Sequence, residues 1–492
     1  MREERHDTQT HIPLVSLPPD MIHVAVIGAY GSAGAAVANE LADAPDVRLT
    51  LIDDGGPDGS PGGGLCILRG CMPSKEVLAA GSRRYKVRTD ERVIGSIPEV
   101  DFEEVIEQKD DRTLGWAASR RESIQGLAEH EHVEFVEGRA RFLDDRTLAV
   151  GDRTIEADYV VVATGSNVNV PDLPGIEDVE YADSADVLDA TEFPDSGIVM
   201  GFGYIGLELA PYIAGPGGTE LTVIEHDDAP LDEADPEFGE ELLEIYERDF
   251  PIEVRRNTDE KRIEPTDDGG VRLYVEDENG EEDVVEADQL YLFTGREPAL
   301  DGLGLENTSM EPERGWVDRT LQARENPHAF VVGDANGVEQ ILHVAKEEGF
   351  TAADNILRHA SGEELLEYEP TPHYVMFSGL GVYPFARIGH TEASARAAEL
   401  DYVAVTRKAS DDGVFKSKDV PDGLAKLVVD AEDGTVLGWQ GLHYHADVMA
   451  KTMQVAVELG LDVRELPDRA YHPTTPEILD GLFREASAAL EA

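Results

Sequence analysis

The chain holds two cysteines in 492 residues, and four residues separate them: Cys66 and Cys71 in Gly63-Gly64-Leu65-Cys66-Ile67-Leu68-Arg69-Gly70-Cys71-Met72-Pro73-Ser74-Lys75. A close pair in a chain otherwise free of cysteine suits dithiol–disulfide exchange or metal binding better than a structural staple. Pro73 opens a helical stretch and so puts Cys71 near a helix N-terminus, where amide dipoles stabilise a thiolate. Two buried, inert thiols are the plain alternative. A second reactive constellation stands near the other end. In Asp-Arg-Ala-Tyr-His472-Pro-Thr-Thr-Pro-Glu477 the imidazole can take a proton from a thiol, and the carboxylate can orient it. His443 and His445 alternate in a segment expected to be a strand and would share a face. Two imidazoles fall short of the four ligands of structural zinc, so an interface or surface role is expected and no metal site.

Two long segments have the pattern needed to position such groups against a nucleotide. From His23, HVAVIGAYGSAGAAVANELA reads as strand, glycine turn and helix, followed by the strand VRLTLIDD. Gly28, Gly31 and Gly34 supply the turn, with one residue more than Gly-x-Gly-x-x-Gly between the first two. The turn must differ locally, with Tyr30 lifted over the site, and Asp53 takes the ribose-binding place. The second copy, SGIVMGFGYIGLELAPYIAG then TELTVIEHDD, carries Gly201, Gly203 and Gly206 without a gap and Glu225 at the end of the following strand. A glycine turn at a helix N-terminus offers amides to a pyrophosphate. Glu225 can hold both ribose hydroxyls, and no Lys or Arg lies between it and Arg248, which favours NAD over NADP. Two copies imply two dinucleotide sites. From about residue 366, YVMFSGL, ARIGH, YVAVTR, GLAKLVVD and TVLGWQGL read as short strands, with helices from about 446.

The charge sets outer limits. Acidic residues number 102 and basic residues 41, a formal net charge of −61. Such a polyanion will not bind nucleic acid or an anionic membrane through its overall field. A 41% apolar content is that of a folded protein, so the excess points to a surface adapted to concentrated salt. Residues 1–20 carry no apolar stretch of a secretory signal, and no run of eighteen apolar residues occurs, so a cytoplasmic protein is expected. With Met21 just before the first strand, residues 1–20 are expected to be a dispensable tail or a mis-chosen start, and 54–64 is the most irregular stretch.

Taken in order, several motifs resemble the flavoprotein disulfide reductases, the class I pyridine nucleotide-disulfide oxidoreductases. They are the cysteine segment through Lys75, Ala163-Thr164-Gly165-Ser166, Gly201 to Glu208, Thr294-Gly295-Arg296-Glu297-Pro298, Gly333-Asp334, and His472 to Glu477. The resemblance covers about residues 21–490 and is nearest to dihydrolipoamide dehydrogenase. It implies an α/β fold of two Rossmann-like domains, FAD-binding at 21–165 and NAD-binding at 166–296. A central segment at 297–365 would complete the FAD site, and an α+β dimerisation domain would fill 366–492. It implies FAD at the first turn, with Thr164, Gly165, Gly333 and Asp334, and a pyridine nucleotide at the second, with Gly295. Cys71 would face the flavin as a charge-transfer thiolate, and Cys66 would be the exposed thiol that exchanges with substrate. Lys75 and Glu208 would pair beside the flavin, Tyr204 would gate it, and His343 would lie near it in a structural role. His472 and Glu477 would serve the active site of the other subunit of a homodimer. The substrate would be a lipoyl or other small disulfide. The alternatives are a reductase of a small cytoplasmic thiol disulfide, a mercuric reductase-like enzyme, or a binding subunit of a 2-oxo acid dehydrogenase complex. Leu65 stands where the family has threonine, Leu68 where asparagine is common, and Phe377–Gly389 is longer than usual.

Overall fold

The computed structural model describes residues 21–55, 62–469 and 471–492. The expected tail and the middle of the irregular 54–64 stretch lie outside these. Ile22–Ile27 is a central strand with Val24, Ala25 and Val26 fully buried. It pairs in parallel with Val47–Asp53 on one side and Tyr159–Val162 on the other. Val133–Glu137 extends the sheet at one edge, and Asn326–Val331, itself flanked by Gln322–Ala323, at the other. Such unbroken apolar runs are what a sheet covered on both faces requires. Helices Ser32–Ala42 and Leu342–Ser361 pack on it and on each other. Their approach depends on Gly349, where a Cβ would come within 2.6 Å of the Ala33 carbonyl oxygen.

The second sheet repeats the scheme around Ser196–Met200, with Glu220–Ile224 and Ile252–Arg255 to one side and Gln289–Leu292 and Tyr181–Ala182 to the other, all parallel. The internal repeat reaches further than the glycine turns. Each copy also carries an antiparallel three-stranded ribbon, Ala140–Phe142 to Arg153–Glu156 in the first and Thr258–Pro265 to Glu282–Ala287 in the second. A short antiparallel pair, Ser166–Val168 with Arg296–Pro298, ties the exits of the two copies together.

The C-terminal sheet is antiparallel in the order His373–Met376, Phe385–Gly389, Val436–His443, Gly423–Asp430, Tyr402–Lys408. Helices Ala446–Glu458 and Glu477–Leu490 pack against it. The two histidines do not share a strand face. The strand ends at His443, which is fully buried against Phe415 and Trp439, and burial lowers its pKa to about 4. His445 lies beyond the strand at φ +72° and reaches Thr475 Oγ1 at 3.1 Å. The same sheet meets the second copy through buried charge. Lys426 Nζ lies 3.2 Å from Asp235 and 2.7 Å from Glu392 and also contacts Glu237, while Gln440 Nε2 donates to Asp235 at 2.6 Å. Among the described residues no helix is long and apolar enough to cross a membrane.

Candidate active site

Cys66 lies in a single helical turn, Leu65–Leu68, and Cys71 opens the helix Cys71–Thr89 after Gly70 breaks the chain direction. Both are free thiols. By residue exposure Cys66 is half-buried and Cys71 exposed. The short turn packs against helices Cys71–Thr89 and Phe102–Gly126, and Cys71 stands at the open end of its own helix. The pair is electrostatically unequal. The hydrogen bond from Cys66, and then Lys75, hold the Cys71 thiol down at about 7, against the opposing effect of burial. The same hydrogen bond, with burial, pushes the Cys66 thiol up. The first proton therefore leaves Cys71 and Cys66 remains its donor.

Lys75 Nζ donates to both carboxylate oxygens of Glu208, at 2.8 and 2.7 Å, which joins the cysteine helix to the second glycine-turn helix, Tyr204–Ala214. Two partners of this pair escaped the sequence reading. Ser74 Oγ accepts from Lys75 at 3.1 Å and donates to the Cys71 carbonyl at 3.1 Å. The Phe377 amide donates to Glu208 at 2.8 Å, and the Phe377 ring lies 4.5 Å from Lys75 Nζ. Phe377 heads the segment whose length departs from the family, and that departure was the available signal. Lys346, also missed, is an exposed residue whose positive charge acts on Cys66 as the smallest of several influences. His343 rests on His373 at 4.3 Å between ring centroids and bonds its carbonyl.

The two glycine turns share their geometry despite the extra residue. Gly28 and Gly201 have φ of +87° and +91°, and a Cβ on either would strike the carbonyl of Ala163 or Phe293 on the neighbouring strand. Gly31 and Gly203 each precede the first residue of a helix, and a Cβ on Gly34 or Gly206 would strike the Gly28 or Gly201 carbonyl at 2.2 or 2.4 Å. The insertion is thus absorbed between Gly28 and Gly31. Tyr30 is not lifted over the site. It is 3% exposed, stacks on Phe135 at 5.2 Å and accepts a hydrogen bond from Gln125 at 2.7 Å. Its amide donates to Asp53 at 2.8 Å, and burial raises the Asp53 pKa, as it does that of Glu225. The residues fit dinucleotides. Thr164 Oγ1 is buried without a partner beside Gly28, and nothing lies within 4 Å of the Cβ positions of Gly165, Gly203 and Gly295. Asp334 follows Gly333, whose φ is +66°, and accepts from Ser166 at 2.6 Å.

Tyr204 stands at the start of its helix, 41% exposed, with its hydroxyl donating to Glu233 at 2.9 Å and its ring 5.1 Å from that of Tyr374. His472 and Glu477 do pair, Nδ1 to the carboxylate at 3.0 Å, and the Thr474 amide holds the same oxygen at 3.0 Å. The His472 side chain is 81% exposed, and within one chain the structure does not bring it to the cysteines.

The model of the family described as pyridine nucleotide-disulphide oxidoreductase matches residues 22–349, and that of its dimerisation domain matches residues 375–482. The chain belongs to the pyridine nucleotide-disulphide oxidoreductases. Enzymes of this family use FAD and NAD(P)H, and the matched C-terminal domain supports a homodimer. A dihydrolipoyl dehydrogenase of Bacillus subtilis is 31% identical over 85% of this chain and 87% of its own length. One from Halobacterium salinarum is 29% identical over 92% and 94%. A mercuric reductase of Bacillus cereus is 29% identical over 89% of this chain and 67% of its own. Among solved structures, an HOCl-induced flavoprotein disulfide reductase of Escherichia coli superposes with a TM-score of 0.77 at 23% identity, covering 94% of this chain and 99% of its own.

Proposed function

We propose that the protein passes electrons between NAD(H) and a dithiol/disulfide substrate through a Cys66–Cys71 disulfide, in the manner of a dihydrolipoamide dehydrogenase. The observation that carries this reading is the unequal thiol pair, joined through Ser74 and Lys75 to Glu208 on the second nucleotide turn. Gly28, Gly31, Gly34, Asp53, Thr164, Gly165, Gly333 and Asp334 would hold FAD. Gly201, Gly203, Gly206, Glu225 and Gly295 would hold NAD. FAD, when bound, supplies the two-electron relay between nicotinamide and disulfide. Lys75 places a positive charge at that relay, and Glu208 and Phe377 keep it in place. Tyr204 covers the nicotinamide position and moves aside for it.

In the reducing direction Cys66 attacks one sulfur of the substrate disulfide and releases the first thiol. The Cys71 thiolate then attacks Cys66 sulfur, releases the second thiol and closes the Cys66–Cys71 bond. Cys66 is the member held as a thiol, so its attack needs a base, and the exposed His472–Glu477 pair of a second subunit is suited to that task. Mixing inactive Cys66→Ser and His472→Gln homodimers under conditions of subunit exchange should restore NADH-dependent disulfide turnover. One site of each heterodimer is then intact. Full activity of Cys66→Ser alone would defeat the mechanism.

A second reading, a reductase of a small anionic disulfide, is favoured by Lys346, whose charge acts on Cys66. Lipoate and lipoamide differ only in a carboxylate, so a preference for lipoate that Lys346→Gln abolishes would select it.

A further inference from the structure

A polar cluster beneath Tyr204 has an unbalanced set of partners. Glu233 lies in the loop after the second copy's Glu220–Ile224 strand and accepts the Tyr204 hydroxyl on Oε2 at 2.9 Å. The same Oε2 lies 3.9 Å from Arg387 Nη1, a loose approach rather than a hydrogen bond. Nη1 is engaged instead by the Glu233 backbone carbonyl, at 2.6 Å. Arg387 Nε and the hydroxyl of Tyr374, the residue directly opposite Arg387 on the adjacent strand, are buried and close no hydrogen bond of good geometry among the described residues, although Tyr374 interacts with both Arg387 and Tyr204. The Arg387 side chain is 11% exposed, while that of Glu233 is 56% exposed and free to turn. A buried guanidinium whose Nε closes no good hydrogen bond gains from a carboxylate that can move onto it. Glu339 shares the electrostatic field of the cluster, yet among the described residues the only carboxylate within ion-pair range of Arg387 is Glu233.

We propose that Glu233 is a two-position latch for the Tyr204 gate: closed, it holds the Tyr204 hydroxyl, and when Tyr204 swings away for the nicotinamide, it passes to Arg387. This rests on the reading of Tyr204 as the gate and extends it to the neighbouring sheet. The exchange keeps Glu233 partnered in both positions and turns its loose 3.9 Å approach to Arg387 into a direct hydrogen bond only in the open one. Opening therefore costs less than the broken tyrosine bond alone would require. Glu233 and Arg387 are positioning residues in this scheme, since neither touches the reacting atoms.

The test is the affinity of NAD+ for the oxidised holoenzyme, measured by calorimetry with no turnover. Tyr204→Phe removes the closed-state bond and should lower Kd several-fold. Arg387→Gln removes the open-state partner and should raise Kd roughly tenfold, the scale of one charge-assisted hydrogen bond. Glu233→Gln keeps an acceptor for Tyr204 but not the ion pair, and should raise Kd likewise. Because Glu233 is exposed, that variant stands in if the buried arginine variant fails to fold. The deciding result is the double-mutant cycle. In a Tyr204→Phe background Glu233 pairs with Arg387 in both positions, so Arg387→Gln or Glu233→Gln should no longer change Kd. Equal effects in both backgrounds, or none in the native one, would overturn the latch. A Tyr204→Phe enzyme with unchanged Kd would instead overturn the gate reading and the latch with it.

Discussion

Cys71 carries the sharpest expectation at the scale of single residues. Its thiol is held well below the ordinary thiol range, at about 7, first by the hydrogen bond from Cys66 and second by Lys75. Both favour the anion, so the thiolate of the reduced enzyme should form as pH rises through about 7, well below a free thiol. Replacing Cys66 with Ala should raise that midpoint more than Lys75→Met does, as read from the ultraviolet absorbance of the thiolate. The opposite ranking would show that the lysine dominates. The pairing of His472 with Glu477 was legible from their spacing, and that of Lys75 with Glu208 from the family resemblance alone. The place of Tyr30 was not: an inserted aromatic reads equally as cover or as core until Phe135 and Gln125 are seen beneath it.

The glycine turns show the same division at the scale of elements. Sequence spacing gave their number, order and the one-residue insertion, since a strand, turn and helix leave separate periodicities. It could not say which glycine is needed for folding and which for the ligand. A Cβ on Gly206 would meet the Gly201 carbonyl at 2.4 Å, whereas one on Gly203 meets nothing within 4 Å. Gly206→Ala should therefore destabilise the protein by about 1–3 kcal/mol. Gly203→Ala should cost under about 1 kcal/mol and yet weaken NAD+ binding, because its methyl would stand where the pyrophosphate approaches. Paired denaturation and NAD+ titration measurements would separate the two. The C-terminal strands were legible as short runs, but the end of one at His443 was not, and two histidines were thereby given a common face that they do not have.

The charge of −61 takes on internal structure at the scale of the whole molecule. Two of the scarce lysines are buried, Lys109 against Asp189 and Lys426 among Asp235, Glu237 and Glu392. A charged residue is read by default as surface, so nothing in the sequence marked them. Lys426→Gln would leave Asp235, itself 3% exposed, without its counter-charge and should cost about 3–5 kcal/mol in denaturant unfolding. Added salt should raise the stability of both forms by screening surface repulsion, but should not close the gap between them, since buried pairs are screened far less. The order of strands has a further consequence, for synthesis. Tyr159–Val162 finds one of its neighbours in Asn326–Val331, and the whole second sheet is encoded between them. On a ribosome adding roughly 5–20 residues per second, the earlier strand waits on the order of ten to thirty seconds with that edge bare. The later-encoded unit is complete first, so a nascent chain halted at residue 300 should resist protease across 181–292 while 22–162 is still cut. Maturation would then run against the direction of translation.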